Sequence, residues 1–240
     1  MSKFVLIHGA WHGGWCWSKI AALLARNGHT VLSPDLPGHG ADNTPVSKIM
    51  LEGYTNSVVN ILEQQTEPVV LVGHSMGGLV ISQAAERMPD KIKSLVYVCA
   101  FLVRNGETLG DVAQRDARAL VMPNLDVSED KLSARLKPEV IRQAFYTDCS
   151  DDDAASAQSR LVAQALAPFM TPVQLSAGKY GLVPRSYVEC THDRAISVEI
   201  QKSMFASSPC RKVWTLETDH SPFLSKPDEL ASILLSEANQ

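Results

Sequence analysis

Six short runs of apolar residues alternate with helix-like stretches along this 240-residue chain. The runs lie at residues 4–7, 30–34, 68–73, 94–99, 186–191 and 212–216. Such nearly continuous apolar strands are typical of a parallel sheet with both faces buried. Because helix-like stretches separate the runs and crossovers are right-handed, the pattern predicts a doubly wound α/β sheet of about six strands, with helices on both faces.

The alternation is interrupted between about residue 101 and about residue 180, where the sequence shows no convincing strand. Helix-like stretches in this interval lie at residues 109–121, 128–136, 139–145 and 151–166. The interval is too long for a loop. We therefore predict a core made of residues 1–104 and 181–240, and an inserted helical cap at residues 105–180, called the insertion below.

Composition and charge argue against several kinds of partner. Apolar residues make up 45% of the chain, the net charge is -4, and no Lys/Arg block suggests nucleic-acid binding. No apolar stretch approaches the roughly 20 residues that span a membrane, and the run at 4–7 is too short for a signal peptide. Five widely spaced cysteines without a CxxC pair indicate neither a disulfide framework nor a zinc site. We expect a cytoplasmic protein without membrane or nucleic-acid partners.

Residues 73–77 read G-H-S-M-G and match the G-x-S-x-G pattern of a nucleophile elbow. The motif follows an apolar run and precedes a helix-like stretch, which is the context that this turn requires. Gly73 and Gly77 allow strand and helix to approach without a Cβ clash, so that Ser75 can be exposed on a strained turn. The positive end of the following helix favours a developing oxyanion. Ser75 is therefore the candidate nucleophile.

An oxyanion hole needs two backbone N–H groups near the nucleophile. The residue after the serine, Met76, is expected to supply one of them. The loop after the first strand, residues 8–15, is expected to supply the other through Ala10. This Gly-rich loop matches neither common phosphate-binding motif. His8 and His12 are not expected to bind a metal, because a non-helical loop does not bring them to one face.

The general base is expected late in the chain, since enzymes with this elbow carry their triad in the order Ser, Asp or Glu, His. Only His192 and His220 come after residue 80. His220 comes directly after the last apolar run, at the carboxyl end of a parallel strand, where catalytic groups collect. We predict His220 as the general base and His192 as a solvated loop side chain.

The acid that orients the base is expected at the end of the preceding strand, where Asp193 stands. Its carboxylate would hold one imidazole tautomer and stabilise the imidazolium. Two alternatives are Glu189, which lies inside the predicted strand, and Asp219, which is next to His220 and typical of a turn.

Four segments carry a resemblance to a known family. They are residues 4–17 (FVLIHGAWHGGWCW), 73–77 (GHSMG), 190–193 (CTHD) and 219–220 (DH). The chain resembles the plant methylesterase and hydroxynitrile lyase family of the α/β-hydrolase superfamily, with its bacterial esterase and pyrethroid-hydrolase-like relatives. The likeness is weakest in the insertion. It implies an α/β-hydrolase fold with a six-stranded parallel sheet and helical cap, a Ser-Asp-His triad, no cofactor, hydrolysis of small carboxylic esters and a homodimer.

Three positions depart from the lyase members of that family. Lyases carry a lysine directly after the catalytic histidine and a threonine in the first oxyanion loop, whereas this chain has Ser221 and Ala10. Before the serine it has His74, as esterases do, where lyases typically have glutamate. A lyase without its cation loses the electrostatic stabilisation of its leaving group. Cyanohydrin cleavage is therefore not expected.

Together these features predict a serine carboxylesterase that acts on small neutral esters through an acyl-enzyme, without a metal or cofactor. The same triad could cleave a lactone, amide or carbamate, and a small-ligand receptor on the same fold is a further alternative. Residues expected to line the substrate pocket are Trp11, Met76, Phe101, Leu102, Phe145, Phe169 and Phe223. For Trp11, packing beneath the following helix is an equal alternative.

Overall fold

The computed structural model describes residues 1–239 and shows strands and helices in alternation. The strands are β1 (Lys3–Ile7), β2 (Thr30–Leu32), β3 (Val69–His74), β4 (Ile92–Val98), β5 (Leu125–Val127), β6 (Ser133–Leu136), β7 (Gln164–Ala165), β8 (Arg185–Cys190) and β9 (Lys212–Leu216). The helices are α1 (Ser18–Arg26), α2 (Leu51–Glu63), α3 (Gly77–Arg87), α4 (Leu109–Ala113), α5 (Pro138–Phe145), α6 (Asp151–Gln158), α7 (Ala167–Met170), α8 (Val198–Ser207), α9 (Pro222–Ser225) and α10 (Pro227–Ala238). No helix within residues 1–239 combines the length and apolar character that a membrane crossing needs.

Over the described residues, the central sheet has six strands in the order β2-β1-β3-β4-β8-β9. All neighbouring pairs are parallel, so that Leu71 lies between Val5 and Leu95, and Tyr97 pairs with Tyr187. Every residue of the central strand β3 is buried, as expected for a sheet covered on both faces. The predicted six-stranded parallel α/β sheet is confirmed.

Each face of the sheet has its own hydrophobic core, because side chains alternate along a strand. Val5 and Ile7 of β1 pack in one core, which includes residues of α2, α3 and α8. Phe4 and Leu6 pack in the other core, which includes residues of α1 and α10. All four β1 side chains are fully buried. The two layers of helices hold the carboxyl ends of the strands in one place.

The insertion is not purely helical, so that part of the sequence prediction is wrong. In the described residues, β5, β6 and β7 form an antiparallel sheet between short helices. Residues 128–136, predicted as helix, instead form the hairpin turn and β6. In the turn, Leu132 N–H donates to Asp130 Oδ1 at 3.0 Å, and Lys131 has a φ of +58°. Such local side-chain bonds compete with helix formation. The boundaries between core and insertion stay a prediction.

Candidate active site

Ser75 lies on the sharp turn between β3 and α3. Its φ of +52° is in the left-handed region that side chains other than glycine rarely adopt. Backbone hydrogen bonds hold this conformation. Ser75 N–H donates to the Val98 carbonyl at 3.3 Å, and the Ser75 carbonyl accepts from the N–H groups of Gly78 and Phe101, both at 3.0 Å. The turn is thus over-determined by β4 and by the start of α3, which keeps the strain in place.

Two glycines make this turn sterically possible. A Cβ atom on Gly73 would lie 2.7 Å from the Gly77 carbonyl oxygen. A Cβ atom on Gly77 would lie 2.8 Å from the Ile7 carbonyl oxygen in the neighbouring strand. Both distances are well inside ordinary van der Waals contact. β3 and α3 therefore approach each other closely at this turn, as the motif predicts.

His220, in the loop after β9, and Asp193, in the loop after β8, form a buried pair. His220 Nδ1 lies 2.7 Å from Asp193 Oδ2, and neither side chain is more than 2% exposed. Since a carboxylate only accepts hydrogen bonds, Nδ1 carries the proton and Nε2 of the neutral ring is left as an acceptor. The second carboxylate oxygen accepts from the backbone N–H groups of Ala195 and Ile196, at 2.7 and 2.9 Å. Asp193 therefore orients the ring and selects its tautomer.

Gln201 on α8 supports Asp193, a role that no motif in the sequence indicates. Its Nε2 donates to Asp193 Oδ2 at 3.3 Å and to the Ile196 carbonyl at 2.8 Å. Its Oε1 accepts from Cys190 N–H at 3.0 Å, so the buried amide joins β8 to the acid. A glutamine on the buried helix face shared with Met204 is the only local signal for this role.

Neither alternative acid hydrogen-bonds to the His220 ring within the described part of the chain. Glu189 accepts from the Thr215 hydroxyl at 2.8 Å. Asp219 accepts from backbone N–H groups, including that of Ser221 at 3.0 Å. His192 is exposed and pairs with Asp148 at 2.8 Å. The geometry brings Asp193, and not these residues, to the imidazole.

Ser75 and His220 line one cavity of about 410 Å³, a volume that includes its open mouth. Of the described residues, no Asp, Glu, Lys or Arg lines it. The walls come from the core and the insertion: Ala10, Trp11, Met76, Phe101, Leu109, Ala113, Ala119, Val121, Met122, Phe145, Phe169, Ala195 and Ile196.

Most of the predicted pocket residues line this cavity, namely Trp11, Met76, Phe101, Phe145 and Phe169. Leu102 and Phe223 are not among the residues that line it. Leu102 borders a separate groove beside Met204 of α8. Phe223 packs against the rings of His74 and Trp17, with centroids 4.9 and 5.4 Å away. Both side chains fill the core behind the site instead of facing it.

Ala10 and Met76 line the same cavity as Ser75. In residues 1–239, the backbone N–H of neither residue has a hydrogen-bond partner within the protein. Met76 immediately precedes α3, whose first N–H groups carry the positive end of the helix dipole. Two residues of the cavity wall therefore have a backbone N–H without a partner in the described part of the chain.

Neutral histidines surround the His220 ring. Burial lowers the pKa of His12 to about 4, and burial also holds the pKa of His74 well below its usual range. His12 Nδ1 donates to the Ala10 carbonyl, and its Nε2 accepts from the Tyr146 hydroxyl, both at 2.8 Å. Since these rings stay neutral, an imidazolium that forms at His220 meets no neighbouring imidazolium.

One group of potential metal-ligating atoms occurs in the described residues. Donor atoms of His74, Cys99 and His220 lie within 4.8 Å of one another. His74 Nε2 donates to the His220 carbonyl at 2.8 Å, and Cys99 Sγ donates to the same oxygen at 3.5 Å. These contacts and the bond between His220 and Asp193 explain why the three side chains lie together: they hold His220 in place.

Similarity to known proteins agrees with this geometry. The sequence model of the alpha/beta hydrolase family matches residues 4–233. The chain is 34% identical over 252 residues to putative methylesterase 14, chloroplastic, of Arabidopsis thaliana, covering 98% of this chain and 71% of that protein. It is 32% identical to methylesterase 7 of the same plant, covering 99% and 96%. The crystal structure of a pyrethroid hydrolase from Sphingobium faniae matches with a TM-score of 0.89 at 28% identity, covering 99% and 97%. The resemblance inferred from the motifs is confirmed.

Proposed function

The chain belongs to the alpha/beta hydrolase family, and from this premise we propose that it is a serine carboxylesterase for small neutral esters. The observation that carries the proposal is that the strained Ser75 and His220, which forms a buried pair with Asp193, line one apolar cavity. Relatives named methylesterases support ester cleavage as the reaction class.

In acylation, Ser75 Oγ attacks the ester carbonyl carbon while His220 Nε2 accepts the hydroxyl proton. The carbonyl electron pair moves to oxygen and forms an oxyanion. When this intermediate collapses, the bond to the alcohol oxygen breaks, and the leaving alkoxide takes the proton from His220. The acyl group stays on Ser75. Both side chains line the same cavity, and the hydrogen bond between Ser75 Oγ and His220 Nε2 is expected to form with substrate bound.

In deacylation, a water molecule attacks the acyl carbon and gives a proton to His220 Nε2. A second oxyanion forms and collapses, the bond to Ser75 Oγ breaks, and the serine recovers its proton from His220. Asp193 keeps Nδ1–H oriented and stabilises the imidazolium in both half-reactions. The cycle uses only protein groups, the ester and water.

The N–H groups of Ala10 and Met76 are proposed as the oxyanion donors. Their unpaired state and their place on the cavity wall support this role. Donors that are already oriented stabilise the oxyanion without reorganisation, and one such donor typically contributes about 10² to 10³ in kcat.

The cavity wall supports the proposed substrate class. A charged group on the acyl chain would be desolvated without a partner, because among residues 1–239 only His220 is titratable along the wall. The rings of Trp11, Phe145 and Phe169 instead offer contact area to an aliphatic or aromatic ester. Neutral esters are therefore favoured over charged ones.

The test compares wild type, Ser75→Ala and Ser94→Ala with p-nitrophenyl acetate, butyrate and octanoate at about pH 8. Ser94 is a matched control because its hydroxyl is buried on β4 and has no hydrogen-bond partner in the described residues. We expect Ser75→Ala to lose at least about 10³-fold in kcat, and Ser94→Ala to retain wild-type rates. Equal rates in wild type and folded Ser75→Ala would refute the proposal.

A further inference from the structure

We propose that Gln164, in strand β7 of the insertion, is a positioning residue for the oxyanion hole. Its side-chain amide holds the peptide bond that joins Ala10 to Trp11, and so sets the direction of the Ala10 N–H. This inference rests on the proposed function, because it concerns how the proposed donor is oriented. Gln164 does not line the cavity, so its effect passes through the loop that follows β1.

The amide of Gln164 is completely buried and fully hydrogen-bonded. Its Oε1 lies 3.3 Å from Trp11 N and 2.9 Å from His39 Nε2. Its Nε2 lies 3.1 Å from the Tyr54 hydroxyl and 2.9 Å from the Ala165 carbonyl. The orientation of the amide is unambiguous, because a backbone N–H can only donate and a carbonyl can only accept. Oxygen therefore faces the loop after β1.

Both polar groups of the Ala10–Trp11 peptide are held by side chains. The N–H donates to Gln164 Oε1, and the carbonyl accepts from His12 Nδ1 at 2.8 Å. A peptide plane fixed at both ends cannot rotate. Since the Ala10 N–H belongs to the neighbouring peptide, its direction depends on the same backbone angles.

Trp11 needs this support because its backbone is strained. Its φ is +62°, in the left-handed region that a bulky residue rarely adopts. Two more bonds from the insertion hold it: the indole N–H donates to the Ala134 carbonyl at 2.9 Å, and the Trp11 carbonyl accepts from Val162 N–H at 3.0 Å. Strained residues persist only where the surroundings over-determine them, and they occur often at functional sites. The insertion thus supplies backbone geometry as well as cavity wall.

The experiment uses Gln164→Met, which removes the acceptor at nearly constant volume, and Gln164→Asn, which keeps an amide but shortens its reach. Glu237→Gln is the control for lost stability. Glu237 is buried at the far end of the sheet, where it binds Arg211 and Trp214. The readouts are kcat and KM for p-nitrophenyl butyrate. Two affinities are measured as well. An aliphatic trifluoromethyl ketone forms an oxyanion adduct with a nucleophilic serine, and the corresponding alcohol does not.

We expect Gln164→Met to lower kcat and the affinity for the trifluoromethyl ketone by about tenfold to a hundredfold. KM and the affinity for the alcohol should change by no more than about twofold, because ground-state contacts remain. Gln164→Asn should show the same split with a smaller loss. It provides the test if Gln164→Met fails to fold. Glu237→Gln should lower the melting temperature without the split.

Two results would mean that Gln164 only stabilises the fold. One is an equal loss of affinity for the trifluoromethyl ketone and for the alcohol in a Gln164 variant. The other is a selective loss of kcat and of ketone affinity in Glu237→Gln. Unchanged kcat in a folded Gln164→Met protein would also overturn the inference. Failure of the proposed function looks different, since wild type itself would then show no Ser75-dependent turnover and no preference for the trifluoromethyl ketone over the alcohol.

Discussion

The carboxylate of Asp219 accepts a hydrogen bond at 2.8 Å from the backbone N–H of Asp148, although Asp219 is the chain neighbour of His220. Burial raises the pKa of this carboxyl group. The same oxygen lies 3.6 Å from Cys149 Sγ, so the contact joins the loop after β9 to the insertion. Asp219 and Asp193 therefore have separate tasks: one secures the histidine loop, and the other orients the imidazole.

This division predicts different outcomes for the same substitution at two carboxylates. Asp193→Asn should lower kcat by about 10⁴-fold, because the amide stabilises the wrong imidazole tautomer. Asp219→Asn should keep kcat within about tenfold of wild type, since it does not contact the ring. It should lower the free energy of unfolding by about 1–3 kcal/mol, because buried N–H groups lose a charged acceptor. Esterase kinetics and urea unfolding measure both effects. Comparable losses of kcat in the two variants would contradict the assignment of Asp193.

Two glycines should respond to alanine with opposite signs. A Cβ on Gly73 would overlap the Gly77 carbonyl oxygen, so Gly73→Ala should cost about 1–3 kcal/mol of stability and displace Ser75. Gly53 lies inside α2, and a Cβ there would meet no atom within 4 Å. Gly53→Ala should stabilise the protein by about 0.5–1 kcal/mol, because alanine loses less backbone entropy in a helix. Thermal unfolding and esterase rates test the pair, and a fully active, stable Gly73→Ala protein would argue against the tight turn.

Chain-length preference should depend on the cavity wall. Phe169→Ala removes a ring that packs edge-on against Trp11, 5.9 Å between centroids, and so lengthens the cavity. The ratio of kcat/KM for p-nitrophenyl octanoate to that for acetate should rise by about tenfold, since added methylenes become buried. Leu102→Ala is the control, because Leu102 is buried but faces another groove. A similar change of ratio in both variants would show that the cavity does not select the chain.

Acidification should destabilise the fold through its buried histidines. Burial lowers the pKa of His12 to about 4 and lowers the pKa values of His8, His39 and His74 as well. In the unfolded chain these rings take up a proton near about 6.5. Between the two pKa values the unfolded state binds more protons. The free energy of unfolding is therefore expected to fall as pH drops below about 6.5, by up to about 1.4 kcal/mol per pH unit for each ring.

The raised pKa of Asp219 acts in the opposite direction, because its folded state holds a proton more tightly than the unfolded chain. One carboxyl group opposes four imidazoles, so the net effect should still be a loss of stability. Urea unfolding between about pH 7 and about pH 5 gives the slope, and His12→Asn should reduce it. Constant stability across this interval would mean that the histidines titrate normally.

Local pattern was sufficient to identify the sheet and the position of the serine. All six predicted strands are present to within two residues. The central strand β3 is a nearly continuous apolar run because both of its faces are buried. The motif at residues 73–77 also carries part of its own geometry, since a Cβ atom on Gly73 would meet the Gly77 carbonyl four residues later. The family and its reaction class follow from these short segments and are confirmed.

The other features of the fold and of the site depend on packing between segments that are distant in the chain. The hairpin in the insertion, the aim of Leu102 and Phe223 away from the cavity, and the support of Asp193 by Gln201 have little or no signature in neighbouring residues. Gln164 and Trp11 are 153 positions apart in the chain, yet they share a buried hydrogen bond. A periodic pattern of apolar residues predicts which side chains are buried, because burial depends mainly on the polarity of each side chain. Which partner a buried polar group meets depends on how distant segments fold together, and a short window of sequence does not contain that information.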